Sequence, residues 1–429
     1  MASNDSLLDL IFYNNNEIWE EVLRQGIQEK HIKPKLIQDF CDPDYRENLR
    51  KEIAERKYKI TPPHAAQIPK DDGTMRTIYV NEAHDRVLLS VINNTICKHC
   101  MKEMVNPKCV SYKQHIGCGK IDKRIQKELV MMKDKYGDDF KAIKLDLSKY
   151  FDTVNIESID EIFDILETKF DKSCVLDMLK EYYHDDTIID LDKSEIHKYT
   201  SLRQGCAFAA FLADSILKDM DDELTGMGII YYRYSDDILI MGKNDVIDLA
   251  LERIKYHLNL KGLSLNPKKV ETLFQNKRQW FTFLGFNISM NGITLSNKRI
   301  KNLQHKIDDI CKTSHNPYSA LKRIYRYLYD NTNTYAYMDT IMPVVTSRSD
   351  LHQIDMYICD RLKAKPNEKI GGLGCDKLQK NGVVMRGKGR HMSAIKAREK
   401  LAYTSIVQMY DTYNTNRNAY KILCNEVLE

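Results

Sequence analysis

Hydrophobic positions along this chain follow two different periods, and the switches between them divide it into segments. Residues 1 to about 60 place apolar side chains at helical spacing, which predicts helices broken at Pro34 and Pro43. From Tyr58 to Asn81 the character changes. The dipeptide Pro62-Pro63 precedes Ile68-Pro69-Lys70-Asp71-Asp72-Gly73-Thr74-Met75-Arg76-Thr77-Ile78-Tyr79-Val80, two short strands joined by an Asp-Gly turn. Helical spacing returns from Glu82 to about Val105 and, after a loop around Gly117-Cys118-Gly119, from Lys120 to Lys135. The run Ala142-Ile143-Lys144-Leu145-Asp146 predicts a buried strand ending on an acid. Helices are expected over Ile156 to Tyr183, a strand pair over Ile188 to Tyr199, and a helix from about Ala207 to Leu224. In Tyr231 to Met241, aromatic and β-branched residues flank a polar break, so the segment reads as a tight hairpin with Asp236 and Asp237 at its tip. Asp245 to Lys261 is an amphipathic helix, and Trp280 to Thr294 a hairpin with an Asn291-Gly292 turn. The chain beyond Ser296 is mostly helical, apart from a Gly- and Lys-rich insertion from Pro366 to Arg390.

Composition narrows the class. The 429 residues suffice for two or three domains or one multilobed enzyme. No apolar run approaches the roughly 20 residues that span a bilayer, so no membrane association is expected. Met1 to Leu10 carries acids and lacks the basic start of a secretory signal, which makes a cytoplasmic location the expectation. The 11 cysteines are odd in number and irregularly spaced, as fits reduced thiols. Cys97 and Cys100 have the C-x-x-C spacing of a zinc site, with Cys109, His115 and Cys118 following. They also fall at i and i+3 of a helical stretch, the ordinary spacing of core packing.

Charge changes the picture in one region. Arg361 to Lys400 holds 12 Lys and Arg against 3 Asp and Glu, a local excess that a solvated surface or a phosphate-tracking groove would show.

The candidate chemistry lies with the acids. Two adjacent carboxylates on a rigid turn repel each other and are costly to bury unless a cation neutralises them. Asp146 closes a strand and is followed by Lys149-Tyr150-Phe151-Asp152. An acid at a strand end near a pair on a hairpin is the arrangement that two-metal phosphoryl transfer requires, with two Mg²⁺ ions bridged by carboxylates and Mn²⁺ able to substitute. Asp146 and Asp236 would bridge, and Asp237 would support them.

In order, the chain then presents Ile68-Pro69-Lys70 with Gly73 and Arg76, Asp146 with Phe151-Asp152, Arg203-Gln204-Gly205, and Tyr234-Ser235-Asp236-Asp237. Gly262-Leu263-Ser264-Leu265-Asn266-Pro267-Lys268-Lys269 and Phe283-Leu284-Gly285-Phe286 follow. This series resembles the fingers and palm motifs of reverse transcriptases of the bacterial and group II intron type, over roughly residues 60 to 290. The resemblance implies an α+β right-hand polymerase with fingers, palm and thumb, an antiparallel-sheet palm and a mostly helical remainder. It implies an N-terminal helical extension over 1–60, fingers and palm over 61–290, a thumb over 291–365 and a basic C-terminal extension over 366–429.

It also implies roles. Lys70 and Arg76 would grip the triphosphate of an incoming dNTP, Arg as a bidentate fork and Lys as a point charge. Phe151 would exclude a 2′-hydroxyl, although core packing would also account for it. Gln204 and Gly205 would lie at the nucleotide and template, glycine permitting close backbone approach. Ala209-Ala210-Phe211 departs from the Ser-Pro pair that often follows there. Lys269, with Lys268 one residue away, would protonate pyrophosphate. Tyr234 and Ser235 would contact primer or template, and Phe283, Leu284 and Gly285 would form the hairpin that grips the primer end. In the thumb, Lys298-Arg299, Lys306, Lys312, Lys322-Arg323 and Arg326 would follow one side of a duplex.

The Asn-Ala-x-x-His and Val-Thr-Gly elements of retron enzymes are replaced here by Asn94-Thr95-Ile96-Cys97-Lys98 and Met290-Asn291-Gly292-Ile293-Thr294. No Cys- or His-rich nuclease pattern follows the palm. The remaining resemblance is to stand-alone antiphage-defence reverse transcriptases that copy an RNA template, a structured noncoding RNA, into a DNA product. A template-independent nucleotidyl transferase and a non-catalytic RNA-binding scaffold are the alternatives on the same palm.

Overall fold

The computed structural model describes residues 5–28, 32–70, 74–111, 118–274, 278–332, 336–362, 365–366 and 402–428. The Asp72-Gly73 turn, His115 and nearly all of the basic insertion from Pro366 to Arg390 lie outside the described residues. Two compact units emerge, residues 1–113 with 136–272, and 114–135 with 273–429. These units do not follow the expected boundaries at residues 60, 290 and 365.

The first unit begins with four helices, α1 (Ser6–Phe12), α2 (Asn16–Gln28), α3 (Pro34–Cys41) and α4 (Pro43–Ala54). Pro34 and Pro43 start helices rather than break them. Each occupies a first-turn position, where the missing N–H has no intrahelical partner to lose. Leu7, Ile11, Trp19 and Phe40 share one buried cluster with Ile92, Leu145 and Ile240, so this segment has no separate core. Asp5 fixes its start twice over, capping α1 through Leu8 N and accepting from Ser173 Oγ at 3.0 Å and Cys174 N at 2.8 Å.

Next come β1 (His64–Pro69) and β2 (Met75–Val80), which pair antiparallel from His64↔Val80 to Pro69↔Met75, then α5 (Ala83–Met104). Helix α6 (Cys118–Tyr136) lies almost wholly in the second unit. The chain returns to the first with β3 (Phe140–Asp146), α7 (Tyr150–Thr153), α8 (Ile156–Phe170), α9 (Cys174–His184), β4 (Thr187–Ile189) and β5 (Glu195–His197). It closes with α10 (Ala209–Ser215), α11 (Lys218–Gly226), β6 (Ile230–Tyr234), β7 (Asp237–Lys243), α12 (Asn244–Leu260) and β8 (Glu271–Thr272).

The central sheet has the order β6-β7-β3-β8, every pair antiparallel. Its middle strands are buried on both faces, which is why their sequences run apolar instead of alternating.

One continuous helix was expected over Ala207 to Leu224, but α10 ends at Ser215. Donors from outside the helix take its last carbonyls: Tyr150 Oη donates to Ala213 O at 2.6 Å and Arg233 Nη2 to Asp214 O at 2.8 Å. Cys97 and Cys100 lie on α5, and burial pushes their thiols up to about 12 and about 11.

In the second unit, β9 (Trp280–Phe283), β10 (Phe286–Ser289) and β11 (Gly292–Leu295) form a three-stranded meander in place of the single expected hairpin. Ser289 pairs with Gly292, so the second turn is Met290-Asn291 and Gly292 opens the last strand. Helices α13 (Asn297–Lys312), α14 (Pro317–Tyr329) and α15 (Ser349–Leu362), the short pair β12 (Lys365–Pro366) and β13 (Ala402–Tyr403), and α16 (Ile406–Thr415) and α17 (Arg417–Leu428) complete it. Leu303, Ile324, Ile354 and Met409 lie at its core. Among the described residues no helix is long and apolar enough to cross a membrane.

Two basic residues expected to face a duplex are engaged inside this unit. Arg299 sits 4.4 Å over the Phe286 ring and donates to Thr340 Oγ1 at 2.6 Å. Arg323 donates to Thr313 Oγ1 and Ser314 Oγ, both at 2.9 Å, at the end of α13.

Asp122 on α6 is fully buried with both carboxylate oxygens unpartnered, and burial pushes its pKa up to about 8, with Arg299 as a weaker opposing influence. Between about pH 4 and about pH 8 the folded state therefore holds a proton that the unfolded state has released, and stability falls as pH rises. Asp122→Asn should flatten that fall in melting temperature. A slope unchanged in the variant would show that Asp122 is not the group responsible.

Candidate active site

A cleft of about 830 Å³ opens in the first unit beside the C-terminal ends of β3 and β6. Its lining includes Lys70 and Arg76 from the β1–β2 hairpin, Asp146 to Thr153, Lys198 to Thr200, Gln204, Tyr234 to Asp236, Asn266 and Lys269. Residues separated by up to about half the chain thus meet in one concavity.

The β6–β7 turn differs by one residue from expectation. Tyr234 pairs with Asp237, so the tip is Ser235-Asp236 and Asp237 is the first residue of the returning strand. Ser235 has a φ of 54°, the left-handed region that a non-glycine residue enters only with support. That support comes from distant segments. Ser235 N donates to Ser111 Oγ at 2.7 Å, and Leu147 N to Asp236 O at 2.9 Å. Beneath the turn, fully buried Arg233 donates to both carboxylate oxygens of Asp221 (2.8 and 2.6 Å) and to Ser235 O (3.3 Å). Sequence reasoning passed over Ser111 and Arg233. The available signal was a lone Arg inside the aromatic run Tyr231-Tyr232-Arg233-Tyr234, with acids at Asp214 and Asp221 upstream.

Register places Asp146 directly opposite Asp237 across β3 and β7. Asp146 accepts from Lys269 Nζ at 2.8 Å and from Asn266 Nδ2 at 3.4 Å. It is therefore Lys269, of the two adjacent lysines, that reaches the acid. Burial works to lower the pKa of Lys269, but the hydrogen bond and charge of Asp146, with Asp236 and Asp237 behind it, carry it above the ordinary lysine range. Burial, followed by the charge of Asp146, raises Asp236, against an opposing backbone hydrogen bond. Burial also raises Asp237, against the ion pair with Lys144. The acids in the described lining are Asp146, Asp152 and Asp236, but not Asp237.

Phe151 lines the cleft while resting edge-on against Tyr150, ring centroids 5.8 Å apart, and against the core. Gly205 meets a requirement within the fold. Its φ is +114°, and a Cβ there would lie 2.8 Å from Tyr79 O, so the glycine permits a close backbone approach to β2. The same contact is tied by Tyr79 N donating to Gln204 O at 2.7 Å, which holds Gln204 at the cleft wall. Arg203 is buried with its guanidinium 4.1 Å over the Tyr182 ring.

Phe283, Leu284 and Gly285 belong to the second unit. Phe283 pairs with Phe286 across a two-residue turn in which Leu284 and Gly285 both have positive φ, 49° and 82°. Of these three residues Phe283 is fully buried, and Leu284 and Gly285 are partly exposed.

Residues 68–288, slightly more than half of the chain and spanning every motif of the cleft, match the family model described as reverse transcriptase (RNA-dependent DNA polymerase). The chain belongs to the reverse transcriptase family. No curated protein matches it. Among solved structures it is similar to apo telomerase from Candida tropicalis, at 13% identity and a TM-score of 0.46, over 71% of this chain and 58% of that one. It is also similar to the same apo telomerase truncated from its C-terminal domain, at 14% identity and a TM-score of 0.42, over 55% of each chain. Telomerase from Candida albicans in complex with a TWJ fragment of telomeric RNA is a third, at 12% identity and a TM-score of 0.39, over 74% and 62%. The chain thus spans 55 to 62% of the length of these three telomerase chains.

The reverse transcriptase cleft has a donor set suited to a hard divalent cation. Asp146 and Asp236 both face it, and the charge of one is felt by the other. Among the described residues no three acidic, His or Cys side chains are grouped closely enough to hold an ion alone. A cation bound here would complete its oxygen shell with water and substrate phosphate, as magnesium commonly does.

Proposed function

We propose that this reverse transcriptase-family chain is an RNA-directed DNA polymerase, extending a DNA strand by nucleotidyl transfer at the cleft of Asp146 and Asp236. The observation that carries this reading is the placement around one cavity of two carboxylates, the Lys70 and Arg76 cations, an aromatic ring at Phe151 and the Lys269 ammonium. Divalent metal held by Asp146 and Asp236, with magnesium expected, would lower the pKa of a primer 3′-hydroxyl and offset charge on the departing pyrophosphate.

The side chains supply the rest. Lys70 and Arg76, which line the same cleft as the acids, bind the triphosphate, Arg through its planar fork. Gln204 and the tip residues Tyr234 and Ser235 position nucleotide and primer. Lys269, already a donor to Asp146, is placed to give a proton to the leaving group. Phe151 selects the deoxy sugar by occupying the space a 2′-hydroxyl needs. The turn at Leu284-Gly285 grips the primer end, and residues 291–365 serve as the thumb. The motif series further supports a defence-associated enzyme with a dedicated structured RNA as template.

The test is incorporation of labelled dNTPs by the purified protein with its co-purified nucleic acid, followed by sequencing of both. Product complementary to a bound RNA supports the reading, whereas product unrelated to any template would favour the transferase. Phe151→Val should erode discrimination against rNTPs, measured as the ratio of kcat/KM for dCTP and CTP, by on the order of tenfold to a hundredfold. An unchanged ratio would assign Phe151 to core packing alone.

A further inference from the structure

Lys149 stands three residues beyond Asp146, so their Cα atoms are at most about 11 Å apart, and both residues line the cleft. It is exposed and forms no ion pair among the described residues. Its backbone, by contrast, is fixed. Lys149 has φ 49° and ψ 40°, the left-handed region, and its carbonyl accepts from Asp152 N at 2.8 Å and from Thr153 Oγ1 at 3.1 Å.

The short helix α7 that follows sorts the neighbouring side chains. Tyr150 is buried and donates to Ala213 O at 2.6 Å, and this anchor sets the residues before and after it, Lys149 and Phe151, at the cleft wall. One three-residue segment thus carries an ammonium and an aromatic ring. The other lining lysines are placed differently. Lys269 already donates to Asp146, Lys70 comes from the β1–β2 hairpin, and Lys198 follows β5, where its backbone N–H donates to Asp186 O at 2.7 Å. A nucleotide with its sugar at Phe151 and its reacting phosphate at Asp146 and Asp236 brings its phosphates alongside the segment joining those residues. Lys149 is the only charged side chain in that segment. An unpaired cation in a concave site attracts such an anion.

We propose that Lys149 is a substrate-binding residue, a third cation for the polyphosphate of the incoming nucleotide beside Lys70 and Arg76. This rests on the polymerase reading of the cleft. A merely solvated lysine would add nothing to nucleotide affinity, and one serving the primer–template backbone would add to duplex affinity instead.

Steady-state incorporation of dCTP by the full chain, on a defined RNA template with a DNA primer, separates these roles. Lys149→Asn removes the ammonium but keeps a residue type that accepts the left-handed backbone, and circular dichroism checks that it is folded. It should raise KM for dCTP about tenfold and change kcat by less than about twofold, the pattern of a lost contact made equally in ground and transition states. Lys149→Gly, whose backbone enters that region freely, should give the same KM and decides the matter if the Asn variant is poorly folded. Lys149→Arg should return KM to within about threefold of wild type. Affinity for the labelled primer–template duplex without nucleotide, read by fluorescence anisotropy, should be the same in all four proteins. A KM unaffected by loss of the ammonium, a rise that Lys149→Arg does not reverse, or a loss of duplex affinity matching the rise in KM would each overturn the proposal. If the wild-type protein incorporated no dCTP, the polymerase reading would itself fail.

Discussion

Asp236→Ala is expected to reduce dNTP incorporation by about a thousandfold or more while leaving the protein folded, and Asp146→Ala to do the same. Each carboxylate faces the cleft from a different element, Asp236 from the β6–β7 turn and Asp146 from the end of β3. On the proposed function, removing either takes away a ligand for the divalent cation on which charge stabilisation in phosphoryl transfer depends, several kcal/mol at about 1.4 kcal/mol per factor of ten. Burial and the neighbouring charge already raise Asp236, so neutralising it relieves repulsion in the folded state. Stability should hold or rise as activity disappears. Parallel thermal melts and incorporation assays check the split, and a variant that lost activity only by unfolding would not support a role in chemistry.

The second large effect concerns stability. Arg233→Met should cost about 3–5 kcal/mol, because it leaves the fully buried Asp221 carboxylate without its cationic partner, with only the Tyr231 hydroxyl still donating to it. The loss reaches further than the ion pair. Arg233 also donates to Ala213 O, Asp214 O and Ser235 O, joining the end of α10 to the turn that carries Asp236. Arg233→Lys should recover only part of the stability, since an ammonium cannot reproduce the forked contact to both oxygens of Asp221. Urea unfolding of the three proteins measures this. A wild-type midpoint in Arg233→Met would show that the buried network is not a support of the site.

Much of the site was legible because its chemistry is carried by short segments. Apolar runs marked β3 and β7, and Asp146 and Asp236 beside them marked the cleft. What the sequence did not convey depends on partners far along the chain. The turn Ser235-Asp236 contains no glycine to announce its left-handed residue, and the Ser111 hydroxyl that stabilises it lies 124 residues away. Gly205 does carry a conformational requirement, but local spacing could not tell a neighbouring strand from a ligand as the cause. The N-terminal helices read as an extension because nothing within residues 1–60 shows that Trp19 and Phe40 join the core containing Ile240. Nothing in the run Ala142 to Asp146 shows that Lys144 pairs with Asp237, which only the β3–β7 register brings beside it.

On the proposed function, the cleft of Asp146 and Asp236 copies RNA into DNA. Extension of a DNA primer on a defined RNA template, with Mg²⁺ and all four dNTPs, tests it most directly. The expected product is DNA complementary to the template, made by the wild-type protein and absent with Asp236→Ala. Product whose sequence ignores the template, or equal synthesis by Asp236→Ala, would contradict it.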